Sequence, residues 1–385
     1  MLTVVFVDDE PFILQAMART MRPMRTSWDM VFVESGDAAL AVIEDRDVDV
    51  IVSDMRMPGM DGAELLDVVR RRSPRTARIV LSGFAEEDVI RRSTEVAHQF
   101  LSKPCELDVL KKVIEGIQAG QAELGSRDLE TVIGLAMELP SLPSITADLV
   151  AMLSQDGYEV DRAADLVSGD IALTAEVMRL VNSAFFGLSR EVASLRVAVS
   201  MLGSGVLLAL ATRHTLLTSA DGDLPNLQQL NERSRHTSEI GRQLALLRGA
   251  SPSMAAEVFL TGSVHEVGCL LFSELPGIDR SELELLIGTS EPEVDRSIAG
   301  ADRFAIGSYL LGLWGFSAPT ISAVASLGAH PHADEGVTIR TIRVVRTGLN
   351  DGRIVPAEFA DLGTDDIRAL VSEIESDLYA AEISL

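Results

Sequence analysis

The chain is poor in several things at once. Among 385 residues there are two cysteines, two tryptophans and three tyrosines, and aromatics make up only 4%. Cys105 and Cys269 lie far apart and fit no metal-ligand spacing, so they read as free thiols of a reducing compartment. With few rings, Leu, Val, Ile, Met and Ala must do most of the core filling, and a hydrophobic share of 47% supplies enough of them. Basic residues are also scarce: 33 Lys and Arg face 58 Asp and Glu, a formal net charge of −25. Such a surface repels phosphate backbones and anionic lipid, so nucleic acid and membrane are not expected as partners. The densest basic patch, Arg70, Arg71 and Arg72, reads as the solvated end of a helix. Long apolar runs are missing too. The longest, Val197–Ala211, is interrupted by Gly203, Ser204 and Gly205 and falls short of the roughly 20 residues that span a bilayer. No basic leader precedes the first strand-like run. A soluble, cytoplasmic chain is expected, long enough for two or three domains.

What is present falls into two unlike regions. Residues 1–117 alternate strand and helix. Val4–Val7, Trp28–Val33, Val48–Val52, Arg78–Leu81 and His98–Leu101 are short apolar runs suited to buried strands. Between them, sets such as Ile13, Leu14, Met17 and Met21, or Leu107, Leu110, Val113, Ile114 and Ile117, share one helical face. Pro11 fits a first helical turn. Five such units predict a doubly wound α/β domain with a five-stranded parallel sheet. Residues 118–128 are polar and read as a linker or an extended helix. Residues 129–330 read as an all-α region, helix after helix, with Asp170 as the N-cap of one starting at Ile171. Residues 331–385 are a mostly helical extension of no evident role, in which Val337–Val345 suits either strand or helix.

Chemistry gathers at the ends of the apolar runs. Asp8 and Asp9 follow the first, Asp54 the third, Ser82 the fourth and Lys103 the fifth. In a parallel sheet, strand C-terminal ends share one edge, where ligands bind. That edge would collect three carboxylates, a hydroxyl and an ammonium. The group suits holding a divalent cation and accepting a phosphoryl group on one carboxylate, the equipment of a switch more than of a turnover enzyme.

The strings VVFVDDEP, SDMRMPGMDG, LSGF and FLSKP, in this order, resemble the receiver domain of two-component response regulators. The resemblance implies a flavodoxin-like fold with Asp54 as phosphoacceptor. It implies Mg²⁺ bound by Asp9, Asp54 and the backbone carbonyl of Arg56, with Asp8 acting through water. Lys103 and Ser82 would contact the phosphoryl oxygens, and Phe100 stands where the family carries a switch aromatic. The face built from 83–117 would then be remodelled. Lys103–Pro104 is a candidate cis bond. A sensor histidine kinase is the implied phosphodonor, a bacterial cytoplasm the implied setting, and self-association into a homodimer an outcome the resemblance allows.

The helical region resembles an HDOD domain, a divergent relative of HD-type metal-dependent phosphohydrolases, through ELPSLPSI, SGDIALTAEVMRLVNSAFFG and AVSMLGSGVLLAL. Against the parent pattern, His236 stands at the first ligand-like position, and a His-Asp pair is replaced by His265-Glu266. Phe304 stands where a histidine is expected, and His330 and His332 are displaced around Pro331. These departures favour a polar cluster left inside a bundle, with no catalytic residue and no transition metal. His98 and His214 read as ordinary surface or boundary residues. Asn182 and Ser183 read as a helix terminus. The expected function is phosphorylation-dependent signal transduction, with a non-catalytic HDOD domain relaying the signal to a downstream protein. The alternative is a phosphorylation-gated phosphohydrolase acting on a cyclic dinucleotide or nucleotide.

Overall fold

The fold is known from a computed structural model. It describes all residues except 83–95, 104, 106, 125, 138, 156, 184–191, 219–223, 290, 333, 360–361 and 380–385. Five strands, β1 (Leu2–Val7), β2 (Trp28–Val33), β3 (Val50–Asp54), β4 (Ala77–Ser82) and β5 (Gln99–Ser102), form one sheet in the order β2-β1-β3-β4-β5. All neighbours are parallel, with Val7 opposite Ser53, Asp54 opposite Leu81, and Ser82 opposite Ser102. This is the flavodoxin-like α/β arrangement. The central strands take their apolar runs from burial on both faces: Val4, Val5, Phe6, Val50, Ile51 and Ile79 have no exposed surface.

Local signals place the helices around the sheet. Pro11 opens α1 (Pro11–Thr20), where its missing N–H would have had no partner anyway. Ser35 caps α2 (Gly36–Asp45) by accepting from the Ala38 N–H at 3.3 Å. Asp61 and Glu64 form a reciprocal capping box at the start of α3 (Gly62–Arg72). Arg70, Arg71 and Arg72 end α3 in ion pairs with Asp67 and Glu44, as a solvated helix terminus should. Then α4 (Leu107–Leu124) runs through the polar stretch after 117, and α5 (Arg127–Leu135) follows.

The rest of the described chain is helical: α6 (Pro143–Leu153), α7 (Val160–Ser168), α8 (Ile171–Asn182), α9 (Leu195–Thr218), α10 (Leu227–Leu247) and α11 (Pro252–Val264). These lead into α12 (Arg280–Gly288), α13 (Pro292–Ala299), α14 (Arg303–Leu313), α15 (Ala318–Ser326), α16 (Val337–Asn350), α17 (Pro356–Phe359) and α18 (Thr364–Tyr379). Asp170 caps α8, accepting from the Leu173 N–H at 2.9 Å. The chain divides into two compact units; the first holds Met1–Glu138 with two short segments from farther along, and the second holds most of the helices. In the second unit, Ile240 and Leu244 of α10 share a core cluster with Val344, Val345, Ile354, Phe359, Ile367, Val371 and Ile374. The extension after 330 is therefore packed on the bundle.

One expectation needs correction. Leu195–Thr215 and Pro252–Glu274 are both long and apolar enough to cross a membrane. By length alone the first therefore passes, but the interruption expected at the glycines is there: Gly203, at φ 72° and outside helical geometry, breaks α9 into two helices that meet at a kink. Burial gives the second another explanation, since 83% of its apolar window is buried, as in the core helix of a globular domain.

Candidate functional site

The C-terminal edge of the sheet brings together the residues its topology predicts. Carboxylate oxygens of Asp8, Asp9 and Asp54 lie within 4.8 Å of one another. Lys103 Nζ sits between two of them, 2.6 Å from Asp8 Oδ2 and 2.7 Å from Asp54 Oδ1. Asp8 is buried, Asp9 and Lys103 half-buried, and Asp54 is 9% exposed, open enough for a ligand to reach. Backbone and side chain fix these positions. The Glu10 N–H donates to Asp8 Oδ1 at 3.0 Å, and Ser53 Oγ donates to the Asp54 carbonyl at 2.8 Å. A Cβ on Gly62 would lie 2.2 Å from that same carbonyl, so only glycine lets α3 start so close beneath the site.

The electrostatics follow from crowding. Burial lifts the Asp54 carboxyl above its ordinary range, against the hydrogen bond and charge of Lys103, and the Asp8 charge adds to the lift. Burial works against the Lys103 charge, but hydrogen bonds to Asp54 and Asp8 outweigh it and raise its pKa. Magnesium keeps oxygen ligands at 2.0–2.1 Å, which puts opposite ligands about 4.2 Å apart. Three carboxylates within 4.8 Å fit that requirement after small side-chain movements, so Asp8, Asp9 and Asp54 are able to hold the ion.

The other expected residues are placed as follows. Arg56 is exposed just past β3. Ser82 ends β4 one residue beyond the partner of Asp54, and its side chain lies outside the described residues. The Lys103–Pro104 bond and residues 83–95 of the expected output face also lie outside them. Phe100 is buried in the core beside Val80 and Ala97.

The helical unit holds a second polar cluster, built differently from a metal site. His265 is buried, its Nδ1 2.7 Å from the Gly262 carbonyl, and burial pushes its pKa down to about 4. Glu266 is buried and paired at 3.4 Å with both Arg233 and Arg303. Burial opposes its charge, yet Arg233, His265, Arg303 and Arg346 together hold it at about 2. Arg303, itself without exposed surface, also grips Asp295 at 2.7 Å. Phe304 stacks 6.4 Å from His265 with the Arg346 guanidinium 4.6 Å over its ring. His236 is half-buried with Nε2 3.1 Å from Arg235 Nη2, and His330 and His332 are exposed. Fixed guanidinium groups thus meet the Glu266 carboxylate. Arg233, Asp295, Arg303 and Arg346 were not singled out from the sequence; arginines in helical patterns read as surface, and nothing local marks a buried one. Ser183 Oγ closes α8 by donating to the Leu180 carbonyl at 2.5 Å, the terminus role expected of it.

Two histidines correct the sequence reading. His98 and His214 are not surface residues. His98 has no exposed surface; its Nδ1 accepts from the Arg78 N–H at 3.1 Å and its Nε2 lies 3.0 Å from the Gly134 carbonyl. His214 is also buried, 3.0 Å from Ser141 Oγ and 2.6 Å from Glu176 Oε2. Ser141 in turn donates to Asp170 at 3.1 Å. Burial works against a charge on His214, but the Glu176 hydrogen bond outweighs it and raises the pKa. These partners come from distant segments, so spacing along the chain gave no sign of them.

Comparison with known proteins agrees with the two-part architecture. Residues 4–115 match the model of the response regulator receiver domain, and residues 139–329 match that of the HDOD domain. The hydrogenase transcriptional regulatory protein HoxA of Cupriavidus necator is 36% identical over 33% of this chain and 27% of its own length. The response regulator protein FleR of Pseudomonas aeruginosa is 27% identical over 40% of this chain and 33% of its own. A cyclic di-GMP phosphodiesterase of Thermotoga maritima is 25% identical over 29% of each chain. This chain therefore matches less than half the length of these relatives. Among solved structures, the MmoQ response regulator from Methylococcus capsulatus is 21% identical, with a TM-score of 0.48 over 61% of this chain and 98% of that one. The chain belongs to the response regulators of two-component systems, with an N-terminal receiver domain and a C-terminal HDOD domain.

Proposed function

We propose that Asp54 is the phosphoacceptor of this signalling protein, and that the HDOD domain passes on its state through protein–protein contacts without chemistry of its own. The convergence of Asp8, Asp9, Asp54 and Lys103 on one sheet edge carries the reading. Asp54 attacks the phosphorus of a phosphohistidine on a sensor kinase. The P–N bond breaks, its electron pair stays on the imidazole, and the ring takes a proton from water. Lys103 swings from the Asp54 carboxylate to the phosphoryl oxygens, and Ser82 donates a hydrogen bond to them. Asp8, already 2.6 Å from Lys103, keeps the ammonium oriented. Asp9, Asp54 and the Arg56 carbonyl, with Asp8 through water, would hold Mg²⁺, which would supply the charge neutralisation that phosphoryl transfer depends on. The product carries roughly −1.5 to −2 charges where one carboxylate stood. Ser82 and Phe100 move in response, and this alters the receiver's contacts.

The arginine pairing of Glu266 supports the non-catalytic reading of the helical unit. A ligand to a catalytic metal needs its carboxylate free, and this one is engaged by Arg233 and Arg303. In this reading no transition metal binds there. The receiver covers 1–117 and the HDOD domain 129–330; the downstream partner is a protein, and the setting is the cytoplasm. Phosphoryl labelling with acetyl phosphate and magnesium is the test. Wild type should label and Asp54→Asn should not; undiminished labelling of the variant removes Asp54 from the role. Stoichiometric transition metal in the purified chain, with His236-dependent hydrolysis of a cyclic dinucleotide, would instead establish the enzymatic alternative.

A further inference from the structure

The opposite edge of the same sheet holds a buried charge that phosphoacceptor chemistry does not use. Arg78, the second residue of β4, has no exposed surface. Its guanidinium donates to four carbonyls, Val96 at 2.7 Å, Pro74 at 3.1 Å, Thr76 at 3.2 Å and Gly134 at 2.8 Å, and Nη2 also meets His98 Nε2 at 2.9 Å and Met137 Sδ at 3.4 Å. Gly134 lies in the last turn of α5, where unpaired carbonyls carry the negative end of the helix dipole. His98, just before β5, meets the same carbonyl. Its Nδ1 accepts from the Arg78 N–H, and its Nε2 lies 3.0 Å from that carbonyl and 2.9 Å from Arg78 Nη2. The approach is close, since a Cβ on Gly134 would sit 2.2 Å from the Pro74 carbonyl. At the other end of α5, Arg127 pairs with Asp47, which also pairs with Arg75.

We propose that this clamp is a mechanical reporter of the Asp54 state: phosphorylation at one end of β4 and β5 releases α5 at the other. The inference rests on Asp54 as phosphoacceptor. The two strands whose C-terminal ends carry Ser82 and, just past β5, Lys103 are the two whose N-terminal ends carry Arg78 and, just before β5, His98. Each is only a few residues long, so a shift at one end is not absorbed before the other. The clamp responds sharply. If the Gly134 carbonyl is lost, Nη2 keeps only the His98 ring nitrogen and the weak Met137 sulfur acceptor, and release of the helix lets water replace the carbonyl. Here Lys103 holds Asp54 directly and α5 is docked; the released helix belongs to the phosphorylated state. Because α5 is the last helix before the second unit begins at Leu139, its release changes the tether of the HDOD domain.

Hydrogen exchange of the α5 amides in the full chain tests this, with magnesium, and with or without beryllofluoride as the phosphoryl mimic. Beryllofluoride should speed α5 exchange on the order of ten-fold, within the usual range for coupled sites. Coupling is reciprocal, so Gly134→Ala, which undocks α5 without touching the pocket, should tighten beryllofluoride binding by the same factor. Beryllofluoride that binds wild type while leaving α5 exchange unchanged overturns the inference and spares the phosphoacceptor. So does a Gly134→Ala chain with fast α5 exchange and unaltered beryllofluoride affinity. Failure of wild type to bind beryllofluoride more tightly than Asp54→Asn removes the phosphoacceptor reading, and the inference with it.

Discussion

Lys103 reaches both Asp8 and Asp54, yet burial still leaves the Asp54 carboxyl above its ordinary range. An ionised Asp54 is thus a net cost to the folded state, the condition of a group held ready for a ligand. Removing its charge should stabilise the protein. The sign follows from linkage: an acid with a folded pKa above the unfolded 3.8 penalises the fold at every pH above the folded value. The penalty fades as pH falls through that value and is gone below 3.8. In magnesium-free buffer at pH 7, Asp54→Asn should melt above wild type by a few degrees, roughly 4 °C for each kcal/mol relieved. The gap should close on acidification. Added magnesium should raise wild type and leave the variant where it was, because only the intact carboxylate set gains binding free energy. Calorimetry at pH 4 and pH 7, with and without magnesium, checks all three; a variant that melts below wild type at pH 7 without metal contradicts the account.

Among the elements, the core of the helical bundle has guanidinium–carboxylate pairs where apolar packing would be ordinary. Arg303 joins the start of α14 to Glu266, Asp295 of α13 and the Leu286 carbonyl of α12. Arg303→Met should cost about 3–5 kcal/mol, since it takes the guanidinium from buried Asp295 and leaves Glu266 with Arg233 alone of its two ion-pair partners. The urea midpoint of the full chain should fall accordingly, and a midpoint within error of wild type would show the pairs to be dispensable. This cluster also marks where sequence reading runs out. The strands were legible because sheet burial writes itself into consecutive apolar residues, and Asp54 was legible because strand ends carry the ligands. Arg303, His98 and His214 were not, since each is defined by partners from other segments. Val337–Val345 left strand and helix open because its β-branched residues suit either. Burial of Thr338, Thr341, Ile342, Val345 and Gly348, one face at helical spacing, makes it α16.

On the scale of the whole molecule, the limits of a recognisable domain and the limits of a stable one differ. The HDOD match stops at residue 329, but the second unit does not. Ile342 of α16 reaches between α10 and α11, where a Cβ on Gly262 would sit 2.7 Å from Ser238 Cα and 3.2 Å from Ile342 Cδ1. The close helix approach that Gly262 permits is therefore completed by α16 from outside the matched region. Beyond it, Ile354, Phe359, Ile367, Val371 and Ile374 cover Ile240 and Leu244. A chain ending at residue 330 would lose the seven buried cluster members that the extension packs against those two side chains. Full burial of one such side chain is worth about 1.5–3 kcal/mol. Two already remove a large part of the roughly 5–15 kcal/mol that holds a folded domain together, and loss of the Ile342 contact adds to it. The truncated chain should be insoluble, or should unfold without a cooperative transition at 25 °C. Removing only 364–385 should be milder, lowering the urea midpoint while keeping a single transition, because α16 still fills its groove. Circular dichroism melts of the three lengths decide the matter: a chain ending at 330 that melts like the full protein would make the extension an appendage, and the order full length, 1–363, 1–330 would make it part of the core.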